Sequence, residues 1–336
     1  MKNKTVKKIM LSALSFAVSA AMLVSCSGGG EKKAEGDKKV YKIGVTQIAD
    51  HPSLDNCRNG FIEGLKEAGF NDGENVEIDF QSAKNDTTTA NQIAQNFASG
   101  GKDLVCGIST PSAQSLYTAC YDKKIPVIFN AISDPVSAKL AKSETEAMDG
   151  ITGISDALPV KDQLELIRKI LPDAKKIGIL FTTSEANSVS TIETYKKLAP
   201  DFGFEIVEKG IGNQSELAQA TDILLGEADC ISNLTDNTVV AALSVVLEKA
   251  AAANIPVFGS EEEQVKNGCI ASAGLDYFTL GKQAGAMAAR VLNGEKISSI
   301  PYETLKESKI TVNKTVAEKL GINIPEDVLS GASVCE

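Results

Sequence analysis

Apolar residues along this chain occur in short continuous runs that alternate with longer stretches at helical spacing. Residues 103–108 and 125–129 are runs of the first kind, as in the buried strands of parallel sheets. Between them, residues 113–120 place apolar side chains on one helical face, after a Ser109-Thr110-Pro111 start that is typical of a helix N-terminus. Strand and helix patterns alternate from residue 40 to about residue 320. This alternation predicts an α/β fold with parallel strands.

The same patterns predict the individual elements. In the first half we expect strands at 40–46, 76–80, 103–108, 125–129 and 151–154, and helices at 54–69, 87–99 and 110–120. Residues 137–150 are polar and predicted to be irregular. In the second half we expect strands at 176–181, 204–207, 229–233, 255–259 and 268–274, and helices at 160–171, 215–225, 239–250 and 280–292, with another ending near Leu198. Two strand-like pieces, 302–305 and 309–312, precede a last helix at 314–320.

Two short motifs recur in the same order at nearly the same spacing. The Lys-Ile-Gly sequence at Lys42 precedes the Ile-Pro-Val sequence at Ile125 by 83 residues (125 − 42), and the copy at Lys176 precedes Ile255 by 79 (255 − 176). Each match alone is common in α/β proteins. Together they predict one α/β unit used twice. We therefore expect a first lobe at 40–155 with a late return of the chain near 275–315, a second lobe at 156–300, and a hinge return and C-terminal segment at 301–336.

The N-terminus has the features of an export signal. Four lysines precede an apolar stretch from Ile9 to Val24, which is too short for a stable membrane span, and residues 1–25 read as a signal peptide. Leu23-Val24-Ser25-Cys26 resembles the lipobox of bacterial lipoproteins, which predicts lipidation of Cys26. An ordinary signal peptide with an incidental cysteine is the alternative. Residues 26–39 have the composition of a flexible tether.

Composition excludes several classes of protein. Removing residues 1–25, which contain four lysines and no acid, leaves 311 residues and changes the formal charge from −10 to −14 (−10 − 4). A domain this acidic is not expected to bind nucleic acid. The six cysteines beyond Cys26 could pair in an exported protein, but most lie in apolar runs, which favours buried thiols. With His51 as the only histidine, a His-rich metal site is excluded, and we expect no cofactor.

Six motifs identify a family resemblance that covers nearly the whole mature chain. The chain resembles the tryptophan/tyrosine-type (TrpX-like) substrate-binding lipoproteins of ABC importers. Phe181-Thr182 stands where Tyr-Asn is usual in that family. The resemblance implies a type I periplasmic-binding-protein fold, in which a hinge joins two Rossmann-like lobes and the ligand lies in the interlobe cleft. The motifs are His51-Pro-Ser-Leu-Asp55, Ser109-Thr-Pro-Ser-Ala113, Ser133-Asp-Pro-Val136, Ser184-Glu-Ala-Asn-Ser188, Thr235-Asp-Asn237 and Gly274-Leu-Asp-Tyr277.

An amino-acid ligand needs donors for its carboxylate, an acceptor for its ammonium group and a shaped pocket for its side chain. Helix N-termini at the strand ends supply N–H donors, and acids at strand ends can accept from an ammonium group. Aromatic residues that close cleft-facing strands can stack on the ligand. The candidates are Gln47 and His51 in the first turn, Ser109, Thr110, Ser184, Asn187 and Ser188 at helix starts, the acids Asp134, Asp236 and Asp276, and the aromatic residues Phe129 and Phe181.

Each candidate also has an ordinary structural interpretation. Asp134 and Asp236 are in positions suited to cap helices or turns, and Thr110 could do the same. Phe129 and Phe181 could be plain core residues, and His51 before Pro52 could be a turn residue. The polar cluster at residues 184–188 is harder to explain as core. The acidic run 261–263 is expected to be a solvated surface.

Catalytic motifs are absent from the sequence. There is no Gly-x-Ser-x-Gly elbow, phosphate loop or His-Glu-x-x-His helix, and one histidine limits any triad. We therefore predict a binding protein and not an enzyme. It is expected to be an extracytoplasmic, lipid-anchored, monomeric receptor that captures a small metabolite and delivers it to a permease and its ATPase. The family resemblance favours an aromatic amino acid as the ligand, with branched aliphatic amino acids and other small metabolites as alternatives. A sensory protein of the same fold is the alternative, and residue types alone leave a two-carboxylate hydrolase open.

Overall fold

A computed structural model of the chain describes residues 39–335. The predicted signal peptide, the lipidation site at Cys26 and nearly all of the predicted tether lie outside the described residues. Within residues 39–335, no helix is both long and apolar enough to cross a membrane.

The first lobe is built on a six-stranded parallel sheet. Its order is β13-β7-β4-β3-β1-β2, where β13 is Glu303–Thr304, so the first strand of the chain, β1, lies beside the edge strand β2. The helices between the strands cover the sheet, as parallel connections require. The elements of this lobe, in chain order, are β1 (Tyr41–Gln47), α1 (Pro52–Glu67), β2 (Val76–Ser82), α2 (Thr87–Ser99), β3 (Leu104–Ile108), α3 (Thr110–Cys120), β4 (Val127–Asn130), the hairpin β5 (Ala141–Ser143) and β6 (Glu146–Ala147), and β7 (Ile151–Ser155).

The second lobe contains a four-stranded parallel sheet of order β11-β10-β8-β9, beside a three-stranded sheet of order β12-β14-β15. The three-stranded sheet is linked to β11 by main-chain hydrogen bonds, such as the one from the Gly259 N–H to the Ala271 carbonyl. The elements are α4 (Val160–Ile170), β8 (Lys176–Thr182), α5 (Ala186–Leu198), β9 (Glu205–Ile211), α6 (Leu217–Leu225), β10 (Cys230–Ser232), α7 (Asn237–Ala241), α8 (Leu243–Ala252), β11 (Val257–Phe258), α9 (Glu262–Lys266) and β12 (Ala271–Gly274).

The two parallel sheets have the same topology. Strands β4-β3-β1-β2 in the first lobe correspond to β11-β10-β8-β9 in the second, with the same chain order and direction. The motif copies at Lys42 and Lys176 begin the corresponding strands β1 and β8. The repeated topology supports the duplication that the two motifs predict.

The chain crosses between the lobes three times. After β7 it enters the second lobe, it returns after β12, and it crosses again after β13. The return is α10, which packs along α1 and belongs to the first hydrophobic core. The final segment, in turn, packs in the second core, beginning with Val312. The remaining elements are α10 (Tyr277–Leu292), β13 (Glu303–Thr304), β14 (Lys309–Asn313), α11 (Lys314–Lys319), α12 (Glu326–Leu329) and β15 (Ala332–Cys335).

Packing therefore divides the chain differently from the predicted second lobe at 156–300 and C-terminal segment at 301–336. Helix α10 covers the first sheet because four glycines let it lie directly against α1. A Cβ on Gly60 would lie 2.1 Å from the Phe278 carbonyl oxygen, and one on Gly281 would lie 2.2 Å from that of Cys57. Gly64 and Gly285 make equally close approaches.

Most predicted elements are present, and the differences have local causes. The predicted helix 239–250 is interrupted at Ala242. The short helix α7 follows its cap residue Asp236 and ends before α8 begins. In the run 261–263, Glu262 is exposed as expected, but Glu261 is buried and caps α9 by accepting bonds from the Glu263 and Gln264 N–H groups. The segment expected to be irregular, 137–150, contains the β5–β6 hairpin.

The six cysteines within the described residues are free thiols. Five are buried, and Cys335 is partly exposed on β15. Burial raises the pKa of the Cys106 thiol, so it is a weak nucleophile. The thiols therefore act as small apolar residues in the cores.

Candidate functional site

The carboxyl ends of both parallel sheets face each other across a cleft between the lobes. Two side-chain hydrogen bonds cross this cleft: the Asn56 amide donates to Glu263 at 3.3 Å, and the Asn85 amide donates to Thr238 at 3.3 Å. Residues at the strand ends of both lobes surround a narrow pocket, termed the enclosed pocket, whose free volume of about 20 Å³ is that of roughly one water molecule, so a larger ligand enters only when the lobes separate. Ligands of open α/β sheets bind at such edges.

The first lobe supplies most of the pocket wall from four strand ends and α10. The second lobe supplies the opposite wall. The first-lobe residues are His51, Ser53, Leu54, Ser109, Thr110, Ala131, Ser133 and Tyr277, with Asp156 at the start of the first crossing; the second-lobe residues are Asn187, Thr235, Asn237, Val240 and Gln264.

Helix α3 presents its N-terminus to this pocket. Gly107 allows the close approach of α3 to β3, because a Cβ there would lie 2.7 Å from the Ala113 Cα atom. Ser109 has φ = +77°, a strained conformation for a residue with a side chain, and its buried hydroxyl has no hydrogen-bond partner in residues 39–335. Its side chain does not cap α3. The first-turn N–H groups of α3 can thus donate to an anionic ligand group.

Two further helices start at the pocket in the same way. Helix α1 begins after His51 and α5 begins after Glu185, and neither residue makes a side-chain cap bond within the described structure. By contrast, α2 and α7 are capped by Asp86 and Asp236. The first-turn N–H groups of these three helices are therefore not used by side-chain caps and can donate to a ligand carboxylate.

Asp156 is the one carboxylate that lines the enclosed pocket among the described residues. It is 2% exposed, accepts a hydrogen bond from Ser133 at 3.0 Å and another from Tyr277 at 2.6 Å, and has no ion-pair partner among residues 39–335. Burial raises its pKa, in spite of these two bonds. A ligand cation placed beside it would stabilise the charged carboxylate, which burial has separated from water.

Four of the twelve predicted site residues line the enclosed pocket: His51, Ser109, Thr110 and Asn187. Two others lie on open parts of the cleft. Ser184 is on the rim beside β8, and Asp134 lies on the side near the hinge, where it accepts a bond from the Ser137 N–H. Asp134 therefore has the capping role that was its alternative interpretation.

Three of the predicted polar residues form hydrogen bonds within the protein and do not line the enclosed pocket. Asp236 is fully buried and accepts bonds from the Thr182 N–H and hydroxyl, the Ser188 hydroxyl and the Val239 N–H, so it is not available to a ligand. Ser188 is occupied by the same network. Gln47 is fully buried, and its amide donates to the Ala49 carbonyl and to Asp55.

Asp276 and the two phenylalanines also lie away from the enclosed pocket. Asp276 caps α10 and pairs with Lys309 at 3.1 Å. Phe129 is fully buried in the first core, 5.8 Å from the Tyr302 ring centre. Phe181 packs at the border of the second core. Both rings therefore pack against their own lobes, and neither lines the enclosed pocket as the stacking prediction required.

Sequence reasoning missed Asp156, the acidic member of the pocket. A signal was present, since Asp156 directly follows the buried strand β7, in the same position as the other strand-end residues. Gln264 could not be found in this way because it lies on α9, whose sequence resembles an exposed charged helix.

Two buried glutamates close to the cleft have altered acidity. Burial raises the pKa of Glu261 to about 7 and that of Glu185 to about 7. Glu185 accepts bonds from the main-chain N–H groups of Asn237 and Thr238, which fix the start of α7 at the cleft. Within the described residues, no group of three His, Cys, Asp or Glu side chains could hold a metal ion.

Comparison with known proteins places this geometry in context. A family model described as ABC transporter substrate binding protein matches residues 42–335. A relative named tyrosine-binding protein, from Clostridioides difficile (strain R20291), is 40% identical over 320 residues, which cover 94% of this chain and 92% of that protein.

Two solved structures are informative about the lobes. A Streptococcus pneumonia structure, described as an ABC domain in complex with L-Trp, has a TM-score of 0.86 at 35% identity and covers 88% of this chain and all of that one. The ligand-free, open structure of a substrate-binding protein with adhesive properties from Clostridium difficile has a TM-score of 0.68 at 40% identity, covering 88% of this chain and 99% of that one. The better superposition on the complex, despite its lower identity, agrees with the cross-cleft hydrogen bonds.

Proposed function

Because this chain belongs to the ABC transporter substrate binding protein family, we propose that its enclosed pocket binds an L-α-amino acid with an aromatic side chain for delivery to an ABC permease. Proteins of this family are extracytoplasmic solute-binding proteins and not enzymes. The observation that carries the proposal is the juxtaposition, in one pocket, of an unpaired carboxylate, Asp156, with uncapped helix N-termini.

The two charges of an amino acid match these two features. The ammonium group would replace water at Asp156 with a charge-assisted hydrogen bond. The carboxylate would accept N–H groups from the first turn of α3, next to Ser109 and Thr110. Both interactions become strong only when the lobes exclude water, so ligand binding and lobe closure support each other.

The remainder of the pocket suits a large, partly apolar side chain. Leu54, Ala131 and Val240 contribute apolar surface, and the rings of Tyr277 and His51 are available for aromatic contacts. The relatives whose names mention tyrosine and L-Trp support the same ligand class. A signalling role has no comparable support.

Isothermal titration calorimetry of the mature protein tests the proposal with analogues that lack one charge. L-Tyrosine, L-tryptophan and L-phenylalanine are the ligands to titrate, together with tyramine, which lacks the carboxylate, and 3-(4-hydroxyphenyl)propionate, which lacks the ammonium group. We expect at least one aromatic amino acid to bind and both analogues to lose at least a hundredfold in affinity. Failure of all aromatic amino acids to bind would refute the proposal.

We further propose that the protein acts as a monomer held at the membrane by lipid on Cys26, as the lipobox-like sequence indicates. The sequence supports this anchor, and Cys26 lies outside the described residues. Changing Cys26→Ser should release the protein from the membrane fraction, and mass spectrometry of the unmodified protein should detect an acylated N-terminal cysteine. Retention of Cys26→Ser in the membrane fraction would contradict the anchor.

A further inference from the structure

The order of the strands determines how residues are arranged along the enclosed pocket. Asp156 follows β7, Ser133 follows β4, Ser109 follows β3, and His51 ends the turn after β1. These four strands are consecutive neighbours in the sheet. Since neighbouring strands are about 4.8 Å apart, the strands that lead to Asp156 and to His51 are separated by three spacings, roughly 14 Å. The two residues therefore lie at opposite ends of the pocket, with the N-terminus of α3 between them.

This arrangement fixes the orientation of a bound amino acid, an inference that rests on the proposed function. An amino acid whose ammonium group is at Asp156 and whose carboxylate is at the N-terminus of α3 has one remaining direction for its side chain, along the sheet edge. That direction leads to His51. A long side chain thus brings its far end to the imidazole ring.

His51 is an unusual residue for this position. Both ring nitrogens are buried, and neither has a hydrogen-bond partner in residues 39–335. Asn237 faces the ring from the second lobe, and because its amide nitrogen donates to Glu185 at 2.6 Å, its side-chain oxygen is the atom left to accept from one ring N–H, which leaves the other ring nitrogen for a ligand. Burial lowers the pKa of His51 to about 4, so the ring is neutral at physiological pH, with one nitrogen as donor and the other as acceptor. Unsatisfied buried groups of this kind are costly, and a ligand group can satisfy them.

We propose that His51 is the specificity-determining residue of the pocket, and that it hydrogen-bonds a polar group at the far end of the ligand's aromatic side chain. A phenol hydroxyl can donate to one ring nitrogen or accept from the other, and an indole N–H can donate. A phenylalanine side chain can do neither. The pocket therefore selects tyrosine or tryptophan over phenylalanine, since phenylalanine would leave a buried ring nitrogen unpaired.

Calorimetry with a matched series of ligands tests this selection. The series is tyrosine, phenylalanine and 4-methylphenylalanine, the last of which has about the size of tyrosine without its hydrogen-bonding group. For the unmodified protein we expect tyrosine to bind ten- to a hundredfold more tightly than the other two. His51→Leu should reduce this preference to less than threefold, and His51→Gln, which keeps a donor and an acceptor, should retain part of it. Thermal unfolding of both variants is the control, and each should show a cooperative transition.

A second readout comes from the ring itself. Because His51 is the only histidine in the chain, the imidazole nitrogen signals of protein labelled with ¹⁵N-histidine and made without a histidine tag belong to this residue. We expect tyrosine to shift these signals relative to the phenylalanine complex in the unmodified protein.

The possible results separate this inference from the proposed function. Equal affinities for all three ligands, with identical imidazole signals, would overturn the role of His51 and leave amino-acid binding intact. A tyrosine preference that survives in His51→Leu would also overturn it and would assign the polar contact to Asn187, whose side-chain oxygen is likewise unpartnered among the described residues. Binding of no aromatic amino acid would overturn both.

Discussion

The Tyr277 hydroxyl lies 2.6 Å from a carboxylate oxygen of Asp156, although the two residues are 121 positions apart. Tyr277 is the first residue of α10, the helix that returns to the first lobe, and Asp156 is the first residue after β7. The contact therefore joins two of the three crossings between the lobes at the wall of the ligand pocket. It holds the one pocket carboxylate in place and connects ligand recognition with the hinge.

Removal of the charge on Asp156 should abolish tight binding. Asp156→Asn keeps the shape of the side chain but cannot form an ion pair with an ammonium group, and we expect a loss of about 3 kcal/mol in the free energy of binding tyrosine. Because burial raises the pKa of Asp156, the neutral amide should not destabilise the fold. Asp134→Asn is the matched control, since Asp134 lies on the open part of the cleft, and its affinity should change less than threefold. Calorimetry measures both, and equal binding by the two variants would exclude Asp156 as the ammonium partner.

Asp236 should be essential for stability. It is the acceptor for four donors in the second lobe, so Asp236→Ala leaves those donors unpaired, and we expect a loss of about 3 to 5 kcal/mol in the free energy of unfolding. Asp222→Ala is the control, because its exposed ion pair with Lys249 should contribute less than about 1 kcal/mol. Urea unfolding followed by circular dichroism compares the two. Similar urea midpoints for the two variants would show that the hydrogen bonds to Asp236 contribute less to stability than expected.

The contact between α1 and α10 should not tolerate a methyl group. Gly281→Ala places a Cβ 2.2 Å from the Cys57 carbonyl oxygen, so the helices must separate, and we expect a destabilisation of about 2 to 3 kcal/mol. Gly226→Ala is the control, since its Cβ would meet its nearest atom at 3.5 Å and its φ of −79° suits alanine. Thermal unfolding should show a fall of several degrees for the first variant and little change for the second. An unchanged melting temperature for Gly281→Ala would contradict the close packing.

Stability should decrease as the pH rises from 6.5 to 8. The pKa values of Glu185 and Glu261 are raised to about 7 in the folded protein, so the native state binds more protons than the unfolded chain below pH 7 and loses them as the pH rises through 7. His51 acts in the opposite direction, because its lowered pKa removes stability as the pH falls below its ordinary value near 6.5. We expect a net decrease of about 1 kcal/mol over this range.

Urea titrations at pH 6.5 and pH 8 measure this change. Glu261→Gln should reduce the pH dependence by about half, because one of the two raised carboxyl groups is removed. Glu165→Gln, on the exposed face of α4, is the control and should leave it unchanged. A free energy of unfolding that rises from pH 6.5 to 8 would show that the two glutamates are not the dominant titrating groups.

Several features were available from the sequence because they depend on local pattern. Buried parallel strands are continuous apolar runs, so β3 and β4 could be predicted before the structure, and the recurring motifs at Lys42 and Lys176 indicated the duplicated topology. The predicted type I fold is confirmed by solved structures of the family. Strand ends could be named as candidate positions because ligands of parallel sheets bind at the edge where the carboxyl ends of the strands meet.

Tertiary structure decided which strand-end residues are available to a ligand. Asp236 and Asp156 both follow short buried strands, yet Asp236 is enclosed by four donors from its own lobe, whereas Asp156 lines the pocket between the lobes. Phe129 was equally ambiguous, since a strand-end ring can face a ligand or the core with the same local sequence. Availability depends on contacts between residues far apart in the chain, 54 positions for Asp236 and Thr182 and 121 for Asp156 and Tyr277. Such contacts leave no periodic pattern in the chain, so the sequence determined the fold and the set of candidates, and packing of the two lobes selected among them.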